Sequence, residues 1–287
     1  MNPTSPTTSP LSPAFAGHGH VTFLGAGPGD PGLLTLRAVE ALAGADVLIA
    51  EPEVLDVVRG HARAGVSTPE LAVVDEASTA AGVPVLRDAA NLVMEAARGG
   101  RRVVRAVTGD PGLDGNAGAE MLACAAEGIP FEVVPGVATA VGVPAYAGVP
   151  LRDAQGTDVR FVDARTADER CWSEVGASDG TVVVSTTLDS VAAAAGELVA
   201  AGRKPDTPLT VTIAGTTTRQ RTWNATLGTI AQVFKQGKVL PSPEGHRPVI
   251  AVVGERTATA VRTPATITPP GSSQSSDMSV SLMRCPL

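Results

Sequence analysis

Short apolar runs alternate with longer segments of helical spacing from about residue 20 onward. The runs "HVTFLGAG", "DVLIAE", "RRVVRAVTG" and "PFEVVPG" are brief and end in glycine or an acid, which predicts buried strands. Between them, "PGLLTLRAVEALAGA" sets Leu33, Leu36 and Leu42 at helical spacing, with Asp30 as N-cap and Pro31 at the first helical position. "PVLRDAANLVMEAARGG" predicts a second helix, stopped by Gly99 and Gly100. "AGAEMLACAAEG" predicts a third, and "VATAVGVPAYAGVP" a small-residue helix whose end is broken by proline. Strands alternating with helices imply an α/β fold with a parallel sheet.

The pattern changes after "PLRDAQGTD". "VRFVDA" and "GTVVVST" predict strands, "LDSVAAAAGELVAAG" a helix ended by Gly202, and "RPVIAVVGE" a last buried strand. The Thr-rich alternation of "TPLTVTIAGTTTRQRTWNATL" suits a strand and turn in a more antiparallel sheet. The expected organisation is therefore a leader over residues 1–19, an α/β domain over 20–150, a second over 151–256 and a tail over 257–287. Both ends are rich in Pro, Ser and Thr, a composition that buries little and predicts disorder.

Composition narrows the class. Apolar residues are 44% of the 287 but aromatics only 3%, so the core must be made of Ala, Val and Leu. A net charge of −7 argues against a nucleic-acid surface spread over the chain. Cys124, Cys171 and Cys285 lie far apart and form no C-x-x-C pair, which predicts reduced thiols in a cytoplasm. No run reaches the roughly 18 apolar residues of a membrane span, and no secretory signal is expected. The four histidines, with His18 and His20 assigned to the leader, have no metal-ligand spacing, so no structural zinc is expected.

Candidate chemistry lies in the turns. Gly25-Ala26-Gly27-Pro28-Gly29-Asp30 follows a strand and opens a helix, as in a dinucleotide site, and Glu51 stands where a ribose-binding acid would. However, Pro28 removes an N–H that a phosphate would use, and Asp30 puts negative charge at the helix mouth. Thr108-Gly109-Asp110-Pro111-Gly112 echoes this turn at the end of another strand. Pro135-Gly136 with Ala138, Thr139 and Ala140 adds a third small-residue element, and all three would line one crevice at the carboxyl ends of parallel strands. Cys124 on an apolar helical face and Tyr146 read as packing residues.

These three elements, with "LLTLRA", "RRVV", "GIPFEVVPGV" and "AYAGVPL" in order, resemble the tetrapyrrole methylase family, among its members the uroporphyrinogen-III C-methyltransferases. The resemblance spans about residues 20–256, and the chain also looks like the methylase part of fusions with uroporphyrinogen-III synthase. It implies two α/β domains with a cofactor cleft between them, S-adenosyl-L-methionine as cofactor and a homodimer. It also implies methyl transfer to uroporphyrinogen III, giving precorrin-1 and then precorrin-2. Carried over by position, the cofactor residues would be Pro28, Thr108, Gly109, Asp110, Leu113, Ala138, Thr139, Thr186 and Gly215. The base would be Glu51, and Arg152 would meet substrate carboxylates, with Arg101, Arg102 and Arg105 as further candidates.

The chain departs from the family pattern. Glu51 replaces an aspartate, and Asp75 or Glu76 stands near a lysine position. Gly115-Asn116-Ala117-Gly118 lacks the arginine of Gly-Arg-Gly-Gly. Arg152-Asp153-Ala154 replaces Thr-His-Arg, and Thr186 a methionine. Two other readings therefore stand beside the enzyme: a degenerate methylase domain that binds cofactor or a partner without turnover, and an NAD-dependent oxidoreductase resting on the first turn and Glu51.

Overall fold

In a computed structural model, the structure describes residues 19–69, 87–115, 117–152, 158–236, 249–255 and 257. The residues near Asp75 and Glu76, as well as Asn116, lie outside them. The leader up to residue 18 and the tail beyond 257 do too.

Two sheets organise these residues. The first takes β1 (His20–Gly25), β2 (Val47–Ala50), β3 (Arg102–Val107) and β4 (Phe131–Val134) in the order β2-β3-β1-β4, every pair parallel. Alternate residues of these strands face opposite layers. On one side Leu24, Leu48, Val104 and Ala106 meet α1 (Leu36–Gly44) and α2 (Pro52–Arg59). On the other Val21, Phe23, Ile49 and Val103 meet α3 (Arg87–Arg98) and α4 (Ala117–Ala126), where Cys124 is buried in the core as expected. All six residues of β1 are buried, His20 included, so that histidine begins the central strand instead of belonging to a leader.

The second sheet holds β5 (Val159–Asp163), β6 (Thr181–Thr186), β7 (Pro208–Ile213), β8 (Arg221–Thr226) and β9 (Val249–Val253) in the order β5-β6-β9-β7-β8. Only β5 and β6 pair in parallel; the Thr-rich β7–β8 hairpin and β9 are antiparallel, in keeping with the alternation of their sequence. One face packs on α6 (Glu169–Gly176), α7 (Val191–Ala200) and α8 (Ile230–Gln236) through Trp172, Leu198 and Ile230. The other receives α5 (Thr139–Tyr146): Ala140 and Val143 meet Val183, Ile250 and Val252. The helix that leaves the first sheet thus packs on the second.

The helix expected after the first turn divides. Pro31–Leu33 form a single 3-10 turn capped by the Asp30 side chain, and α1 begins at Leu36 with Thr35 accepting the Ala38 amide. Two N-cap candidates five residues apart compete, and each starts its own turn. α5 in turn contains Pro144 instead of ending there. No helix among the described residues is long and apolar enough to cross a membrane.

Candidate functional site

The sheet order explains why three turns distant in sequence meet. Strands β3, β1 and β4 are adjacent and parallel, so the turns leaving their carboxyl ends are neighbours. Gly27 and Gly109 pair as an antiparallel bridge, each amide donating to the other's carbonyl, at 3.2 and 2.9 Å. Gly109 holds φ +65°, a conformation that favours glycine. Gly136 sits so close to the carbonyls of Gly25 and Gly109 that a Cβ would overlap both.

Carboxylates stitch the turns together. Asp110 accepts the Gly112 amide at 2.8 Å and, through its other oxygen, the Gly136 amide at 3.1 Å. Asp114, which sequence reasoning did not single out, accepts the amides of Asp110 and Thr139, both at 2.9 Å. Burial pushes its carboxyl above the ordinary range, against the pull of those amides. Asp30 takes the Tyr146 hydroxyl at 2.8 Å and its own amide donates to Thr216 Oγ1 at 3.1 Å. Tyr146 is therefore a donor to the first turn in addition to any packing role, and this bond raises its phenol's pKa.

A small pocket opens where these turns face the second sheet. Pro28, Glu53, Val54, Thr108, Thr139, Val143, Ala214 and Gly215 line it. Four of the expected cofactor residues, Pro28, Thr108, Thr139 and Gly215, are thereby brought together. Ala138 is the residue before α5, and Gly109 and Asp110 lie directly behind the wall in the interlocked turn. Leu113 is 52% exposed beside that turn. Thr186 is buried at the end of β6 and Arg152 is exposed after α5; neither lines the pocket.

The second sheet contributes a strained turn. Ala214 (φ +46°) and Thr216 (φ +63°) adopt left-handed backbone without being glycine. The Thr216 amide donates to Gln220 at 2.8 Å, and the Thr217 hydroxyl to the Ala214 carbonyl at 2.7 Å, which holds the turn. Between them, Gly215 leaves only 2.5 Å between a would-be Cβ and Val143.

The lining chemistry discriminates between ligands. Among the described residues it has one carboxylate and two hydroxyls but neither Lys nor Arg, a poor setting for a diphosphate and a suitable one for a cationic or zwitterionic molecule. The Thr139 hydroxyl is fully buried without a hydrogen-bond partner, and a buried polar group of this kind is expected to be completed by a ligand or water. Glu51 lies just behind: its Oε2 accepts the Thr108 amide at 2.8 Å, with its side chain 17% exposed.

The three further candidate arginines do not reach this cleft. Arg102 binds Asp46 at the amino end of β3, roughly 20 Å along the strand from the turn, and Arg101 precedes it. Its hydrogen bonds hold Asp46 well below the usual carboxylate range. Arg105 is fully buried. Alternation along β3 sends the Arg102 and Arg105 side chains to opposite faces of the sheet, where Asp46 and Glu120 take them.

Comparison with known proteins agrees with the architecture. A family model described as Tetrapyrrole (Corrin/Porphyrin) Methylases matches residues 20–231. The siroheme synthase of Tolumonas auensis is 37% identical over 255 residues, 86% of this chain and 51% of that protein. Siroheme synthase 2 of Aeromonas salmonicida is 39% identical over 246 residues, 83% of this chain and 48% of that protein. The chain thus spans about half the length of these relatives. Among solved structures, the uroporphyrin III C-methyltransferase of Thermus thermophilus superposes with TM-score 0.68 at 28% identity, covering 84% of this chain and all of that one. The same enzyme complexed with S-adenosylhomocysteine gives 0.66.

Proposed function

The chain belongs to the tetrapyrrole methylase family, and on that premise we propose that it methylates carbons of uroporphyrinogen III with S-adenosyl-L-methionine, giving precorrin-2. The observation that carries the reading is the convergence of Pro28, Thr108, Thr139 and Gly215 on one pocket whose described lining residues include no cation. The cofactor supplies an activated methyl on a sulfonium. What remains for the protein is to hold the two reactants in line and to remove a proton afterwards.

Thr139, with its unused hydroxyl, and the Thr108 turn would bind the cofactor, and Val54, Val143 and Ala214 would exclude water from it. Glu51 is assigned the proton, a role that follows the family resemblance and suits a carboxylate next to Thr108. Arg152, exposed after α5, is assigned to the substrate's carboxylates on the same resemblance. A homodimer, implied by the same resemblance, completes the reading and is checked by sedimentation.

The test is single. Purified protein incubated with labelled methyl donor and uroporphyrinogen III should transfer label and develop the precorrin-2 chromophore. Calorimetry should show S-adenosylhomocysteine binding; no binding would end the proposal. The departure of Arg101, Arg102 and Arg105 from the cleft favours a second reading, a domain that binds cofactor without turnover. Binding without label transfer would select it.

A further inference from the structure

Arg105 is the largest side chain fully withdrawn from solvent among the described residues. Its guanidinium has five N–H donors, and leaving any of them unsatisfied in a core is costly. Nε reaches both oxygens of Glu120 at 3.1 and 2.9 Å, Nη2 reaches Glu120 Oε1 at 2.9 Å, and Nη1 donates to the Ala106 carbonyl at 2.9 Å. Glu120 itself is only 6% exposed, on α4 across the layer. Nη2 also faces Glu51 Oε1 at 3.8 Å.

A buried ion pair is a weak source of stability, since desolvation offsets most of its attraction and apolar residues of similar size often serve as well. Its use here has another explanation in position. Glu120 orients the guanidinium in a fork, and Nη2, a member of that fork, also lies at ion-pair distance, 3.8 Å, from Glu51 Oε1. Glu51 is then held with Oε1 toward the cation and Oε2 under the Thr108 amide at 2.8 Å. The geometry points to Arg105 and Glu120 as positioning residues: through Glu51 they set the first residue of the Thr108–Gly112 turn that walls the cofactor pocket.

The chain of contacts runs from α4 through β3 and the end of β2 to the turn, so a helix on the far side of the sheet adjusts the cleft. The claim that this controls the rate rests on the reading of Glu51 as the base; the claim that it controls the turn does not.

The two are separated in one experiment on the full chain carrying Arg105→Met and Glu120→Leu together, a pair that leaves no buried charge unpartnered on that side. Circular dichroism and melting should show a folded protein. Amide hydrogen exchange at Thr108 should quicken by about tenfold or more, the weight of one hydrogen bond to a charged acceptor, while the amides of β3 keep their protection. Unchanged protection at Thr108 overturns the inference, whatever the activity. Loss of protection along the whole of β3 overturns it too, since that marks a merely structural pair. Methyl transfer, measured in parallel, should fall in this variant but not fall further when the change is added to Glu51→Gln. An equal loss in both backgrounds would separate the rate from Glu51 and leave the exchange result to stand alone on the turn.

Discussion

The Asp30 amide donates to the Thr216 hydroxyl at 3.1 Å, tying the first glycine turn to the strained turn after β7. Thr216 holds φ +63°, an arrangement costing about 1–3 kcal/mol for a β-branched residue. Thr216→Gly relieves that strain but loses one hydrogen bond, about 1 kcal/mol, and adds unfolded-state entropy, about 0.5–1 kcal/mol. The terms nearly cancel. Thermal unfolding should therefore lie within about 1 kcal/mol of the parent, while calorimetry shows weaker S-adenosylhomocysteine binding because the two turns are no longer joined. Parent-like affinity would mean that the tie does not shape the pocket.

Glu51→Gln preserves an oxygen that can still accept the Thr108 amide, so the turn stays in place. It removes the charge and the ability to take a proton. Cofactor affinity should hold, and methyl transfer should slow by about 10²–10⁴-fold. A parent rate in the labelled-methyl assay would move the base to another group, and Glu53 on the pocket wall would be tested next.

Gly136→Ala drives a methyl against the carbonyls of Gly25 and Gly109. Because both belong to neighbouring turns, the collision cannot be relieved by a rotamer change. We expect a loss of about 1–3 kcal/mol, the scale of overpacking, in denaturant titration, together with loss of cofactor binding. A variant with undiminished stability would show that the turns can separate freely.

Thr139→Val exchanges a buried hydroxyl without a partner for a methyl of the same shape. An unsatisfied buried donor costs about 1–3 kcal/mol, so the unliganded variant should be more stable by about 1 kcal/mol. Its cofactor affinity should drop, since the group awaiting the ligand is gone. Gain of stability with unchanged affinity would remove Thr139 from the binding set.

Asp114 titrates above the usual carboxylate value because burial disfavours its charge. A carboxyl whose folded pKa is raised contributes stability below its unfolded pKa and loses it as pH rises through the folded one. Unfolding followed from about pH 4 upward should show that loss in the parent. In Asp114→Asn it should be absent, since the amide oxygen still accepts from Asp110 and Thr139 and carries no charge. Identical pH profiles for the two proteins would contradict the burial as the cause.

Legibility differs between elements for local reasons. Strands β1, β2, β3 and β9 are visible as apolar runs because both faces of these strands are covered, whereas β4 lies at the sheet edge with Val133 exposed. Helices α2, α6 and α8 escape the sequence reading, although Pro52 at the start of α2 with Val54 and Val58 one turn apart, and the Asp168 cap of α6, are signals in plain view. Asp114 and the Ala214–Thr216 turn carry no such signal: an aspartate inside a loop, or an alanine and a threonine at positive φ, looks ordinary until its neighbours are known.

Periodicity and turn chemistry are properties of neighbouring residues, so the amino-acid order alone determined the α/β alternation, the three glycine turns and the family they resemble. Which side chains share a cleft depends on strand order and on the layer a residue faces, and only the tertiary structure decided that. It placed Arg105 in the core opposite Glu120 rather than at a substrate, and it left Thr139 buried with an unanswered hydroxyl. A charge or hydroxyl takes its role from the groups that surround it once water is excluded, and those groups come from distant parts of the chain.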